Sequence, residues 1–183
     1  DGGGRVLGGV VLGTRDYIRG PLETYVKHTG GAMSPFHAWI MLNGLQTMDL
    51  RVRAQAANAA AVASAIAGDA KLNRAIYPGL MDHPQHALAM DQMGSGGTMV
   101  AFDLKGGKEA AFRFLNALEI VLISNNLGDA RSIATHPATT THKNLSEEDR
   151  AVVGITPGLV RISMGIEDGA DLVADIRRAL GAA

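Results

Sequence analysis

The chain has 183 residues, 46% apolar and 19% charged, enough to build the core of one domain, or of one domain plus part of another. Its net charge of −1, with no basic stripe, argues against a nucleic-acid partner. With no cysteine there are no disulfides, thiolate metal ligands or Cys nucleophile, so a reducing, cytoplasmic setting is expected; no apolar run reaches membrane-spanning length, and no membrane partner is expected.

The chain opens on Asp1-Gly2-Gly3-Gly4 without an initiator Met and runs directly into Arg5-Val6-Leu7-Gly8-Gly9-Val10-Val11-Leu12. This reads as the middle of an α/β unit, and a fragment is expected. Val6 to Leu12 predicts a strand, and Leu22 to His28 a short helix stopped by Gly30 and Gly31. Ser34-Pro35 is a strong helix start, because Ser caps and Pro suits the first turn. From there to about Ala67 no Pro intervenes, and the alanines of the second half favour helix. A helix this long more often bridges two packing units. Arg74 to Tyr77 predicts a strand, Leu80 to Met93 a loop and then a short helix, and Gly94 to Gly97 a turn. Thr98 to Leu104 predicts a clear strand, Lys108 to Leu118 an amphipathic helix and Ile120 to Ile123 a further strand. Ser124 to Leu145 reads as one long polar loop, and loops of that length are commonly functional. Ser146 opens a short helix in capping-box style. Leu159 to Ile166 is an apolar strand, with Glu167 and Asp168 as a capping signal for a last helix ending at Gly181. The alternation predicts an α/β or α+β fold.

Several motifs invite chemistry. The opening glycines do not fit G-x-G-x-x-G, and no P-loop Lys-Ser/Thr follows them. His83/His86 and His136/His142 give neither an i, i+4 pair nor H-E-x-x-H, so they read as loop histidines with ordinary hydrogen bonds and no metal is expected. Ser124-Asn125-Asn126-Leu127-Gly128-Asp129 follows a strand directly. Asn side chains and backbone N–H groups there suit a carboxylate or phosphate, although Asn and Gly are also common turn residues. His136-Pro137-Ala138-Thr139-Thr140-Thr141-His142 yields no convincing nucleophilic triad. Arg161 stands at the centre of an apolar strand. A guanidinium stays protonated and, when buried, needs an anion; its planar fork suits two-point capture of a carboxylate. The residue types alone leave an internal salt bridge, or a side chain snorkelling out at a strand edge, as the alternative.

Taken together, the Ser124–Gly128, His136–His142 and Gly158–Asp168 segments resemble the C-terminal part of the Cys/Met metabolism enzymes, the cystathionine γ-synthase family of fold-type I pyridoxal-phosphate enzymes. Thr29-Gly30-Gly31-Ala32-Met33-Ser34-Pro35-Phe36 and Gly44-Leu45-Gln46-Thr47-Met48 match the same family in order, so the resemblance covers essentially the whole chain. It implies an α/β fold with the end of a large cofactor domain over residues 1–43. Residues 44–183 would form a small C-terminal α+β domain with a few-stranded, largely antiparallel sheet and helices on one face.

The resemblance implies pyridoxal 5'-phosphate as cofactor and a homotetramer built as a dimer of dimers. Many relatives carry Glu-Ser or Tyr-Ser where Asn125-Asn126 stands. The wording here is most similar to the sulfhydrylase branch, in which sulfide replaces succinate on O-succinylhomoserine to give homocysteine. Methionine or cystathionine γ-lyase, cystathionine γ-synthase and a non-catalytic remnant remain as alternatives. Residue by residue, Arg161 matches the family's clamp on the substrate α-carboxylate, and Asn126, beside Asn125, matches the position that assists there. Asp1 to Gly9 is similar to the stretch just after the Schiff-base lysine, which would lie upstream of Asp1. None of Lys27, Lys71, Lys105, Lys108 or Lys143 stands in a matching context, so no catalytic residue is assigned and the chain alone is expected to lack turnover.

Overall fold

The computed structural model describes residues 1–183, which fall into two compact units, Asp1–Met48 and Asp49–Ala183. In the first unit Val6–Leu12 forms no strand. The segment is apolar enough, but a strand needs a neighbour to pair with, and Leu7, Val10 and Leu12 stand exposed. Helix α1 (Arg15–Tyr17) runs through a π-helical turn (Ile18–Leu22) into α2 (Glu23–Thr29). Pro21 lies inside that turn, where a missing N–H is accommodated by wider hydrogen bonding. Ser34 caps α3 (Pro35–Gln46), its hydroxyl accepting the N–H of His37. The single long helix expected from Pro35 to Ala67 is in fact two. Thr47 leaves helical geometry, and α4 (Met48–Ile66) starts afresh at the unit boundary.

The second unit is a five-stranded sheet in the order β1-β2-β5-β4-β3, formed by β1 (Leu72–Ile76), β2 (Met99–Leu104), β3 (Leu122–Ile123), β4 (Ile133–Thr135) and β5 (Leu159–Ser163). All pairings are antiparallel except β3 with β4. Alternation divides the strands between two faces. Val100, Phe102 and Leu104 of β2, Val160 and Ile162 of β5, and Ala134 of β4 join one apolar core. Helix α4 supplies Ala59, Val62, Ala63 and Ile66 to it, a stripe at helical spacing. Helix α6 (Gly107–Asn116) adds Ala110, Ala111, Phe114 and Leu115, and α8 (Gly169–Ala182) adds Leu172, Ile176, Ala179 and Leu180. Phe102 and Phe114 meet edge to face at 5.2 Å. Two short helices, α5 (His86–Met93) and α7 (Glu147–Val152), complete the unit.

The opposite face carries Ala101, Arg161, Ser163 and Thr135. Arg161 pairs with Ala101 on one side and Thr135 on the other. Two small neighbours leave room over a long cation in the middle of the sheet.

The polar stretch read as one loop, Ser124–Leu145, contains β4 and a 3-10 turn at Pro137–Thr139. Strand β4 is too short to show alternation; it is defined by pairing, with Leu122 N donating to Ser132 O and Ser124 N to Ala134 O. Gly181, expected to end the last helix, lies within α8.

Candidate functional site

The site is built on β5 and the turn that follows β3. Arg161 leaves the central strand on the face away from the core and is half-buried. Its Nη2 donates to the carbonyl oxygens of Asn125 at 3.2 Å and Asn126 at 3.4 Å. Its Nε is buried and has no partner, the only buried side-chain polar atom in the chain of which this is true. No carboxylate of the chain pairs with it. The internal salt bridge is therefore excluded, and a central strand offers no edge to snorkel from. Burial pushes the guanidinium below its ordinary pKa, the direction expected of a cation drawn out of water without an anion beside it. Arginine nevertheless stays charged at physiological pH. The result is a fixed cation with a buried donor that has no partner in the chain, flanked across the sheet by the small residues Ala101 and Thr135.

Asn125 and Asn126 come to the same place, but through their backbones: the carbonyl oxygens, not the amide side chains, reach Arg161. Their segment is held from several sides. The Gly128 N–H donates to Ser163 Oγ at 2.9 Å, and Gln55 Nε2 donates to the Asp129 carbonyl at 2.7 Å. The Asp129 carboxylate is held below its usual range, chiefly by its hydrogen bond from Arg131. Farther along, Glu167 accepts both the N–H and the hydroxyl of Ser132, at 2.6 and 2.8 Å, and Ser132 Oγ accepts Gly165 N–H at 2.8 Å. Asn58 Nδ2 donates to the carbonyls of Gly165 and Glu167.

These supporting residues were not singled out in the sequence. Glu167 read as part of a helix cap, yet Asp168 alone caps α8 while Glu167 turns back to Ser132. Gln55 and Asn58 were submerged in an alanine-rich helix. Ser163 was legible in principle, since a period of two places it on the same face as Arg161.

The histidines behave as ordinary structural groups. His136 is buried, with Nε2 bonded to the Pro157 carbonyl at 2.8 Å and Nδ1 to Thr139 Oγ1 at 2.9 Å. A carbonyl can only accept, so Nε2 carries the proton. His83 Nδ1 accepts from Gln85 N, His86 Nδ1 bonds the Pro78 carbonyl, and no group of His, Asp and Glu gathers as metal ligands would. Among the lysines, Lys71 Nζ donates to the Gly181 and Ala183 carbonyls, Lys105 Nζ to the Ala70 carbonyl, and Lys108 lies over the Phe112 ring. Each is occupied in holding local structure.

The chain is similar to several known proteins. An O-succinylhomoserine sulfhydrylase of Mycobacterium tuberculosis is 50% identical over 98% of this chain and 45% of its own length. An L-methionine gamma-lyase of Pseudomonas putida is 42% identical over 99% of this chain and 46% of its own. The crystal structure of cystathionine gamma synthase from Xanthomonas oryzae pv. oryzae, in complex with aminoacrylate and cysteine, superimposes with a TM-score of 0.83 at 40% identity, over 88% of this chain and 42% of that one. The chain thus spans less than half the length of the relatives it matches. A model of the Cys/Met metabolism PLP-dependent enzymes matches residues 1–181. The α/β fold with a largely antiparallel sheet, the motifs in their order and this match agree: the chain belongs to the Cys/Met metabolism family of pyridoxal-phosphate-dependent enzymes.

Proposed function

We propose that this chain is the C-terminal, substrate-binding part of a pyridoxal-phosphate enzyme that replaces succinate at Cγ of O-succinylhomoserine by sulfide, giving homocysteine. The observation that carries the reading is the buried, unpartnered Nε of Arg161. The donor set fits the carboxylate end of an amino-acid substrate: one guanidinium, steered by two carbonyl oxygens at Nη2, with the N–H at Nε left without a partner. The residues assigned here hold the substrate. A lysine in the family's Schiff-base context is not among this chain's lysines, and none of its residues is assigned to the cofactor phosphate or ring.

Pyridoxal phosphate, when bound, supplies an electron sink for chemistry at the carbons next to the substrate amine. The work of this chain is orientation. Two-point capture by Arg161 fixes both the position and the rotation of the α-carboxylate, and with them the directions of the other Cα substituents. Because the guanidinium keeps its charge, pH acts on this contact through the substrate rather than through Arg161. Asn125 and Asn126 hold Nη2 in place. Residues 1–43 would belong to the end of the large cofactor domain, and the whole protein would assemble as a homotetramer, a dimer of dimers.

The choice of sulfhydrylase rests on two points: the Asn125-Asn126 pair, and the higher identity to the Mycobacterium tuberculosis sulfhydrylase than to the Pseudomonas putida lyase. A γ-lyase shares every motif in the chain. The two separate on product. The full-length gene product, given O-succinylhomoserine and sulfide, is expected to form homocysteine. Release of 2-oxobutyrate at the same rate with or without sulfide would establish elimination instead. The 183-residue chain by itself, supplied with pyridoxal phosphate, is expected to form no homocysteine above a protein-free blank.

A further inference from the structure

Ser163 lies two residues beyond Arg161 on β5, so both side chains leave the face opposite the core. It is 1% exposed, and its hydroxyl accepts the Gly128 N–H at 2.9 Å. Gly128 ends the short segment whose carbonyls at Asn125 and Asn126 hold Arg161. The segment is pinned at its start by Ser124 N–H on the Ala134 carbonyl and just past its end by Gln55 on the Asp129 carbonyl. Gly128 sits at φ +75°, a left-handed position that glycine adopts without a Cβ penalty, and its N–H needs an acceptor. The acceptor it finds is carried by the strand that carries Arg161.

We propose that Ser163 is a positioning residue of the carboxylate site. It touches no substrate. By holding Gly128 it fixes where the carbonyls of Asn125 and Asn126 stand, and through them the direction of the Arg161 guanidinium. Arg161 and its acceptors are thereby referenced to one strand, so the fork cannot swing without breaking a buried hydrogen bond. This rests on the reading of Arg161 as a carboxylate anchor.

The test uses the full-length gene product with two inhibitors, L-norleucine and L-norleucinamide, which differ only in the α-carboxylate. The preference for norleucine reports how well the carboxylate is held. Ser163→Ala removes the acceptor and is expected to lower that preference about three- to tenfold, the size of one neutral hydrogen bond, with kcat changed far less. Ser163→Thr keeps an acceptor oxygen and is expected to restore most of the preference. Ile176→Val, a core change on α8, is the reference for stability loss alone and should leave the preference unaltered. Should Ser163→Ala fail to accumulate as folded protein, Ser163→Cys, with a weaker acceptor of similar size, is judged by the same criterion. A preference unchanged in the Ser163 variants but lowered by Arg161→Ala would overturn the positioning role and leave the Arg161 reading standing. A preference that Arg161→Ala also leaves intact would overturn both.

Discussion

Arg161, half-buried with its Nε unpartnered, and Asp175, buried on α8, are two charged side chains whose removal has distinct expected effects. On the proposed carboxylate clamp, removing the Arg161 side chain takes away a charge-assisted, two-point contact of about 2–5 kcal/mol, so Arg161→Ala is expected to raise KM for the amino-acid substrate at least thirtyfold. Cofactor absorbance should stay at the wild-type level, since the proposed role of Arg161 is to hold substrate and not cofactor. Asp175 on α8 is the anionic counterpart. Burial alone would raise its pKa, but the N–H groups of Glu119, Ile120 and Val121, at 3.0, 3.0 and 3.1 Å, together with Arg178, hold it below the usual carboxylate range. A depressed folded-state pKa stabilises at pH values above the unfolded one, and that stabilisation is lost as pH falls through the folded value. Asp175→Asn leaves three N–H groups facing an amide. It is expected to cost about 2–4 kcal/mol at neutral pH, lowering Tm by about 4–16 °C, with the difference from wild type shrinking in acid. A thermal-melt series across acidic to neutral pH checks both sign and window.

At the scale of elements, β5 decides where everything sits. Its inward residues Val160 and Ile162 are fully buried against the helices, while its outward residues Arg161 and Ser163 make the site. The strand enters through Gly158, where a Cβ would meet the Leu104 carbonyl oxygen and the Asp103 carboxylate; Leu104 N–H donates back to the Gly158 carbonyl at 3.0 Å. Gly158→Ala must therefore separate β5 from β2 and is expected to lower stability by about 1–3 kcal/mol, measurable by urea unfolding. The helices α6 and α8, the strands β2 and β5, and the caps at Ser34 and Ser146 were legible because each carries a local signal, a period or a capping residue. Strand β4 was not: Ile133-Ala134-Thr135 has no pattern of its own and exists through its partners. The Val6–Leu12 segment shows the converse, a strong local pattern with nothing to pair against.

Across the whole molecule, the site was readable as residue types in order, and unreadable as contacts. Arg161, Asn125 and Asn126 were each marked by motif. That the asparagines act through their carbonyls, that Gln55 and Ser163 hold the turn after them, and that Asn58, Ser132 and Glu167 tie down the segment after β5, depends on segments far apart in the chain being folded together. The proposed tetramer is checked by light scattering on the full-length gene product, expected at four times the subunit mass. The most direct measurement for the carboxylate anchor is competitive inhibition of that protein by L-norleucine and L-norleucinamide, with Arg161 intact and as Ala. Wild type is expected to prefer the carboxylate by at least tenfold and Arg161→Ala to lose that preference while retaining bound cofactor. An undiminished preference in Arg161→Ala would remove the guanidinium from the substrate site.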